Sequence, residues 1–204
     1  MNVSRETRER LKIFEREFER WSRTHNLVSG SERGNIVERH IKDSLQLATC
    51  VQFHGDWVDI GTGGGFPGVV LATLAEEHED VRVSMIESNA KKCAFLRHVC
   101  ATMELKAVVL HERAERVIAR MRPPSVVTAR AVASLPKLVS LCEPWLAGGT
   151  IGLFPKGRSA AKEVAEASAD WTFEWRAHPS ETAADASVIE LHSLRPKSAA
   201  KIKP

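Results

Sequence analysis

Cysteine is scarce in this chain and poorly placed for bridging: Cys50, Cys93, Cys100 and Cys142 are the only four in 204 residues, with no C-x-x-C spacing and no histidine cluster beside them. That argues against a disulfide framework and a zinc site and marks the thiols as reduced cytosolic ones. Long apolar runs are missing too. No stretch reaches the ~20 residues that cross a bilayer, and the N-terminal MNVSRETRERLKIFEREFERW is densely charged, without the apolar core of a signal peptide. A cytoplasmic protein is expected, with no membrane and no metal partner. A large charge excess is absent as well: the net +3 is too small to imply a polyanionic partner. The last twelve residues, SLRPKSAAKIKP, nevertheless hold Arg195, Lys197, Lys201 and Lys203 with no acid. Taken alone they read first as a solvated terminus, and second as a basic flexible tail able to touch phosphate.

What is present is an ordinary globular composition, 43% hydrophobic and 27% charged, with room for one domain and a full core. Leu11, Phe14, Phe18 and Trp21 recur at helical spacing, which predicts an amphipathic helix over residues 5 to 24. The pattern breaks around Asn26 to Gly34. Asn35 can cap a second helix with Ile36, Val37, Ile41, Leu45 and Leu47 on its apolar side and Arg39, His40, Lys42 and Asp43 polar. Strands then alternate with helices. Strands are predicted at Trp57–Ile60, Val81–Ile86, Ala107–Leu110, Ser125–Thr128 and Thr150–Phe154, with a helix after each. Thr172–His178 and Ser187–Ser193 read as an antiparallel pair closing the sheet. The fold class is therefore α/β, a doubly wound, mostly parallel sheet. Three segments are expected: a helical extension at 1–50, a nucleoside-binding domain at 51–194 and the tail at 195–204.

The segment WVDIGTGGGFPGVVLA, residues 57 to 72, joins a strand, a glycine turn and a helix start. Gly61, Gly63, Gly64 and Gly65 supply turn conformations, and Pro67 suits a first helical turn. Gly63, Gly65 and Gly68 also satisfy G-x-G-x-x-G, so a nicotinamide or flavin site competes, as does a turn with no ligand. Asp59, two residues before the first glycine, is ill suited to a pyrophosphate and better suited to a ligand bearing an ammonium group, such as S-adenosylmethionine. Glu87 lies 22 residues beyond Gly65 at the end of the second strand, where doubly wound folds place a ribose-binding acid. Either cofactor class would use it. Lys91, Lys92 and Arg97 fall in the following helix, where phosphate would approach.

At this point the chain resembles the bacterial RsmG (GidB) family, class I methyltransferases that modify a guanine N7 in small-subunit ribosomal RNA. The resemblance is collinear over nearly the whole length: WSRTHNLVS at 21–29, ERHIKDS at 38–44, DIGTGGGFPG at 59–68, ESNAKKCAFLR at 87–97, ERAE at 112–115, ARAVASLPKL at 129–138 and PKG at 155–157. It implies a Rossmann-like methyltransferase fold with S-adenosylmethionine as cofactor. It implies that Gly61 and Phe66 line the cofactor pocket, that Glu87 holds the ribose and that Ala114 and Glu115 border the adenine. Arg130 is implied to reach the active site, and Lys91, Arg113 and Lys156 to lie on an RNA-facing rim. The implied partner is 16S ribosomal RNA, naked or within the small subunit, and the enzyme is expected to be a monomer. Two positions depart from the family pattern: Pro155 precedes Lys156 where a small or aliphatic residue is usual, and Ala186 stands where relatives often carry Arg. If that Arg grips RNA in relatives, either Arg176 or the basic tail substitutes for it here or the contact is absent.

Guanine N7 carries an in-plane lone pair and no proton, so methylation there needs alignment rather than a general base. The chain is consistent by omission. RPPS at 122–125 lacks the acid and aromatic of the D/N-P-P-Y/F turn used on exocyclic amines, and Cys142 is followed by Glu143 and Pro144 rather than preceded by Pro, as cytosine C5 chemistry requires. Arg130 is assigned to orienting the base or a neighbouring phosphate. Two competing readings stand beside the methyltransferase: a nicotinamide oxidoreductase and a non-catalytic, ribosome-associated RNA-binding module.

Overall fold

The computed structural model describes residues 3–23, 27 and 36–197, with Ile36 and Val37 as backbone only. The expected break at 26–34 apart from Leu27, the Asn35 cap and the tail beyond Lys197 lie outside the described residues.

The chain begins with α1 (Arg5–Ser22), α2 (Ile36–Cys50), β1 (Gly55–Ile60), α3 (Gly68–Ala75), β2 (Val81–Glu87), α4 (Ala90–Thr102) and β3 (Val108–His111). It continues through α5 (Ala114–Ile118), β4 (Val126–Ala129), α6 (Leu135–Leu146), β5 (Ile151–Lys156), α7 (Ala160–Asp170), β6 (Trp171–Pro179) and β7 (Ser187–Pro196). The sheet order is β3-β2-β1-β4-β5-β7-β6. β1 pairs in parallel with β2 on one side and β4 on the other. β7 slots between β5 and β6 and runs against both. It also extends to Pro196, so Arg195 belongs to the strand rather than to a tail.

Trp57 to Ile60 are buried without a break because helices cover both faces of the central strand. α3 is short and almost wholly buried for the same reason, its residues Gly68 to Leu74 filling the space against β2. Its first helical residue is Gly68, and Pro67 sits one place earlier, at the cap.

α1 starts where the Ser4 hydroxyl accepts the Thr7 amide at 3.0 Å. Its apolar stripe joins the main core: Phe14 lies 5.0 Å and Phe18 5.3 Å, centroid to centroid, from Phe66 in the glycine turn, and Phe95 of α4 completes the cluster. Each ring buried there contributes about 1.5–3 kcal/mol by removal from water. The N-terminal helix is therefore packed into the same core as the sheet, and it braces the turn after β1.

Candidate cofactor and acceptor site

Strand order reverses between β1 and β4, and in open α/β sheets ligands bind outside the strand ends at such a point. β1 ends there in the glycine turn. Gly61 (φ +64°) and Gly65 (φ +96°) occupy left-handed conformations, and a Cβ would come within 2.7 Å of Val132 at the first and 2.8 Å of Val69 at the second. Only glycine lets this backbone turn so tightly under its neighbours.

Asp59 lies beneath the turn, 1% exposed. One carboxylate oxygen accepts the Gly68 amide at 3.0 Å and the other the Thr128 hydroxyl at 2.7 Å. Burial pushes its carboxyl up to about 6, against the opposing pull of the Thr62 and Thr128 hydroxyls, the Gly68 amide and the Arg130 charge. Sequence reading paired it with an ammonium group; here the buried carboxylate ties β1 and β4 to the start of α3.

Glu87 does reach the turn. From the end of β2 its carboxylate accepts the Gly63 amide at 3.0 Å and the Asn89 amide at 2.8 Å, leaving lone pairs for two ribose hydroxyls. Beside it the Asn89 side chain caps α4 by accepting the Lys91 and Lys92 amides. Lys91 is exposed and Lys92 half-buried, with its ammonium 3.8 Å from where a Cβ on Gly63 would stand. Arg97, in contrast, is turned to the Val109 carbonyl at 3.3 Å. Arg113, Ala114 and Glu115 open α5, just beyond the β3 end that pairs with Glu87; Arg113 and Glu115 are exposed and Ala114 half-buried. Phe66 is only 6% exposed, its ring enclosed by Phe14, Phe18 and His40.

A cleft of about 580 Å³ opens on the β4 side, lined by α2, residues 130–134, the start of α7 and β7; small-ligand sites span ~300–1,000 Å³. Arg130 projects from the end of β4, ahead of Ala131, whose φ of +54° is unusual for a residue with a Cβ. The Arg130 guanidinium lies 5.8 Å from the Phe66 ring centre and 3.8 Å from the Asp43 carboxylate. Burial pulls it below its ordinary value while Asp43 and Asp59 oppose the shift, and an arginine so placed stays charged. Val132, 42% exposed, stands over Gly61 and forms the wall shared by cradle and cleft.

Lys156 lines this cleft, but it is 9% exposed, donates to the Ala133 carbonyl at 2.7 Å and pairs with Glu163 at 3.0 Å. Burial alone would raise Glu163; the Ser159 hydroxyl, the Leu135 amide and Lys156 hold it below its ordinary value. Lys156, expected on an RNA-facing rim, is thus a strut under the 130–134 segment at the cleft wall. Pro155 lies opposite Val188 of β7, past Leu153 where the register with β4 ends, and Ala186 lines the cleft.

Two cleft residues were not assigned a role from sequence. His40 and Asp43 both belong to ERHIKDS on α2, which periodicity places only on a polar helix face. Burial drives His40 down to about 4, helped by the Arg130 charge, so the ring is neutral near pH 7; its Nδ1 is buried without a hydrogen-bond partner among the described residues. Asp43 accepts the Thr182 hydroxyl from the β6–β7 connection.

A sheet ordered 3-2-1-4-5-7-6 with β7 reversed, a glycine cradle after β1 and an acid ending β2 defines a class I methyltransferase. Solved structures with this fold include the putative methyltransferase yhhF from Escherichia coli (TM-score 0.53, 16% identity, covering 84% of this chain and 91% of that one). A mutant of MtNAS in complex with S-adenosylmethionine is another (TM-score 0.61, 12% identity, 89% and 72%). Sequence narrows the class further. The chain belongs to the GidB family, rRNA small subunit methyltransferase G, whose pattern matches residues 7–188. It is 41% identical over 193 residues to the ribosomal RNA small subunit methyltransferase G of Chelativorans sp. (strain BNC1), covering 95% of this chain and 92% of the relative. The protein of the same name from Brucella ovis is 42% identical over 195 residues, covering 96% and 92%.

Proposed function

We propose that this protein transfers the methyl group of S-adenosylmethionine to N7 of a guanine in 16S ribosomal RNA, acting as a cytoplasmic monomer. The observation that carries the reading is the shared wall: Val132 stands over Gly61, so a nucleoside cradle and an arginine-bearing cleft open side by side at the switch point. S-adenosylmethionine fits the first of these. Gly61, Gly63 and Gly65 let the backbone approach, Glu87 offers acceptor oxygens to the ribose, and Ala114 and Glu115 lie where the adenine would extend. Bound there, it supplies an electrophilic methyl on a sulfonium.

The chain's own residues then orient and shield. Arg130 fixes the acceptor base or the phosphate beside it, and Phe66 with Asp59 keeps the turn from shifting. The transfer asks no base of the cleft, because the acceptor nitrogen has no proton to lose. Lys91, Lys92 and Arg113 border the cradle as phosphate contacts, which position RNA without reading its sequence. The helices before residue 51 serve the same catalytic unit.

Mapping N7-methylguanine in 16S rRNA incubated with the protein and S-adenosylmethionine is the test. A single new modification is expected, and Arg130→Ala should slow it about 100-fold, the scale of lost alignment, while leaving S-adenosylhomocysteine affinity within about two-fold of wild type. An unmodified rRNA map would overturn the assignment.

A further inference from the structure

The cleft must do more than admit a purine N7, because adenine carries the same nitrogen. Guanine differs from adenine on its other edge: it offers a ring N1–H and an exocyclic amine, two parallel donors, where adenine offers a bare N1 lone pair beside its amine. A carboxylate matches the first pattern and repels the second.

Asp43 is such a carboxylate. It stands on α2 in the cleft that also holds Arg130, with a side-chain exposure of 21%. Its fixed contacts leave capacity to spare. The Thr182 hydroxyl donates to Oδ1, and the Arg130 guanidinium approaches Oδ2 only to 3.8 Å, beyond hydrogen-bond reach, whereas a carboxylate has about four lone-pair sites. The other acids and amides in the cleft are committed. Glu163 serves Lys156, Ser159 and the Leu135 amide, and Gln46 is held between the Pro179 carbonyl and the Glu181 amide. His40, neutral beside Arg130, does not compete for Asp43 as a cation.

We propose that Asp43 reads the acceptor base, its carboxylate accepting the N1–H and the exocyclic amine of guanine, so that this residue sets purine choice while Arg130 sets position. The inference rests on the methyltransferase reading above. A flipped base is read along its Watson–Crick edge in this manner, and a mismatched partner leaves a buried lone pair facing a carboxylate, which rejects adenine as much as it favours guanine.

The test compares two RNA substrates identical except that the methylated guanosine is replaced in one by inosine, which keeps N7 and N1–H and lacks the amine. Wild-type enzyme is expected to prefer guanosine by roughly 10-fold to 100-fold in kcat/KM, the worth of the one hydrogen bond to a charged group that inosine cannot make. Asp43→Asn should bring the two within about two-fold. The ratio is independent of how much enzyme is folded, and Thr182→Val, which only loosens the carboxylate, should move it part of the way if Asp43→Asn does not fold. A wild-type enzyme that methylates both substrates equally overturns the proposal, as does an Asp43→Asn variant that slows both by the same factor. A wild-type enzyme that methylates neither removes the methyltransferase reading, and the proposal with it.

Discussion

At the residue scale, Asp59 shows how a buried side chain can brace a turn from beneath. Its two oxygens accept the Gly68 amide and the Thr128 hydroxyl, and its burial raises the carboxyl from 3.8 to about 6. The folded state thus holds a proton that the unfolded chain has released between those values. The stability this contributes is present below pH 3.8 and is lost as pH rises through about 6, by ~3 kcal/mol at most from a shift of about two units at 1.36 kcal/mol each. Denaturant unfolding of wild type and Asp59→Asn at several pH values should therefore show the wild type losing stability relative to the variant from pH 4 to 6.5. A constant difference across that range would remove the buried-proton account. Glu87 illustrates the opposite case: its 8% exposure hides a carboxylate whose partners are two backbone amides of adjoining turns, a geometry that keeps oxygens aimed at the cradle.

At the element scale, the glycine turn depends on helices far from it in sequence. Phe14 of α1 is fully buried, and its ring lies within 3.2 Å of where a Cβ on Gly65 would stand; Phe66 is sandwiched between it and the Arg130 guanidinium. Phe14→Ala should cost about 3–5 kcal/mol, the range for deleting a buried aromatic, read as a lower midpoint in chemical denaturation. A cost under 1 kcal/mol would mean that α1 is not part of the core. The second such coupling is the Lys156–Glu163 pair, which joins β5 and α7 to the Ala133 carbonyl and the Leu135 amide. Periodicity located α1 and α7, which each bury one stripe, and a short apolar run located β5, buried through Gly152, Leu153 and Phe154, but neither gave a sign that a lysine in a P-K-G segment points inward. That direction depends on the partner supplied by α7.

At the scale of the whole molecule, cradle and cleft are built from segments as distant as Asp43, Gly61, Arg130 and Thr182, and the cofactor should couple them. A ligand binding only the folded state stabilises by about 2.7 kcal/mol at 100 times its Kd. S-adenosylhomocysteine at that concentration should raise the melting temperature by several degrees, and NADH should leave it unchanged. The reverse result would favour the dinucleotide reading that G-x-G-x-x-G alone permits. Sequence by itself determined the α/β alternation, the glycine turn, the acid ending β2 and the family, since these rest on local periodicity, on backbone freedom and on collinear motifs. Tertiary structure alone decided which polar residues face the cleft. Asp59 turned under the cradle, Lys156 turned to Glu163 and the Ala133 carbonyl, and Asp43 and His40 came to the cleft. Each depends on a donor or acceptor brought from elsewhere in the chain, and no spacing along a single segment encodes that.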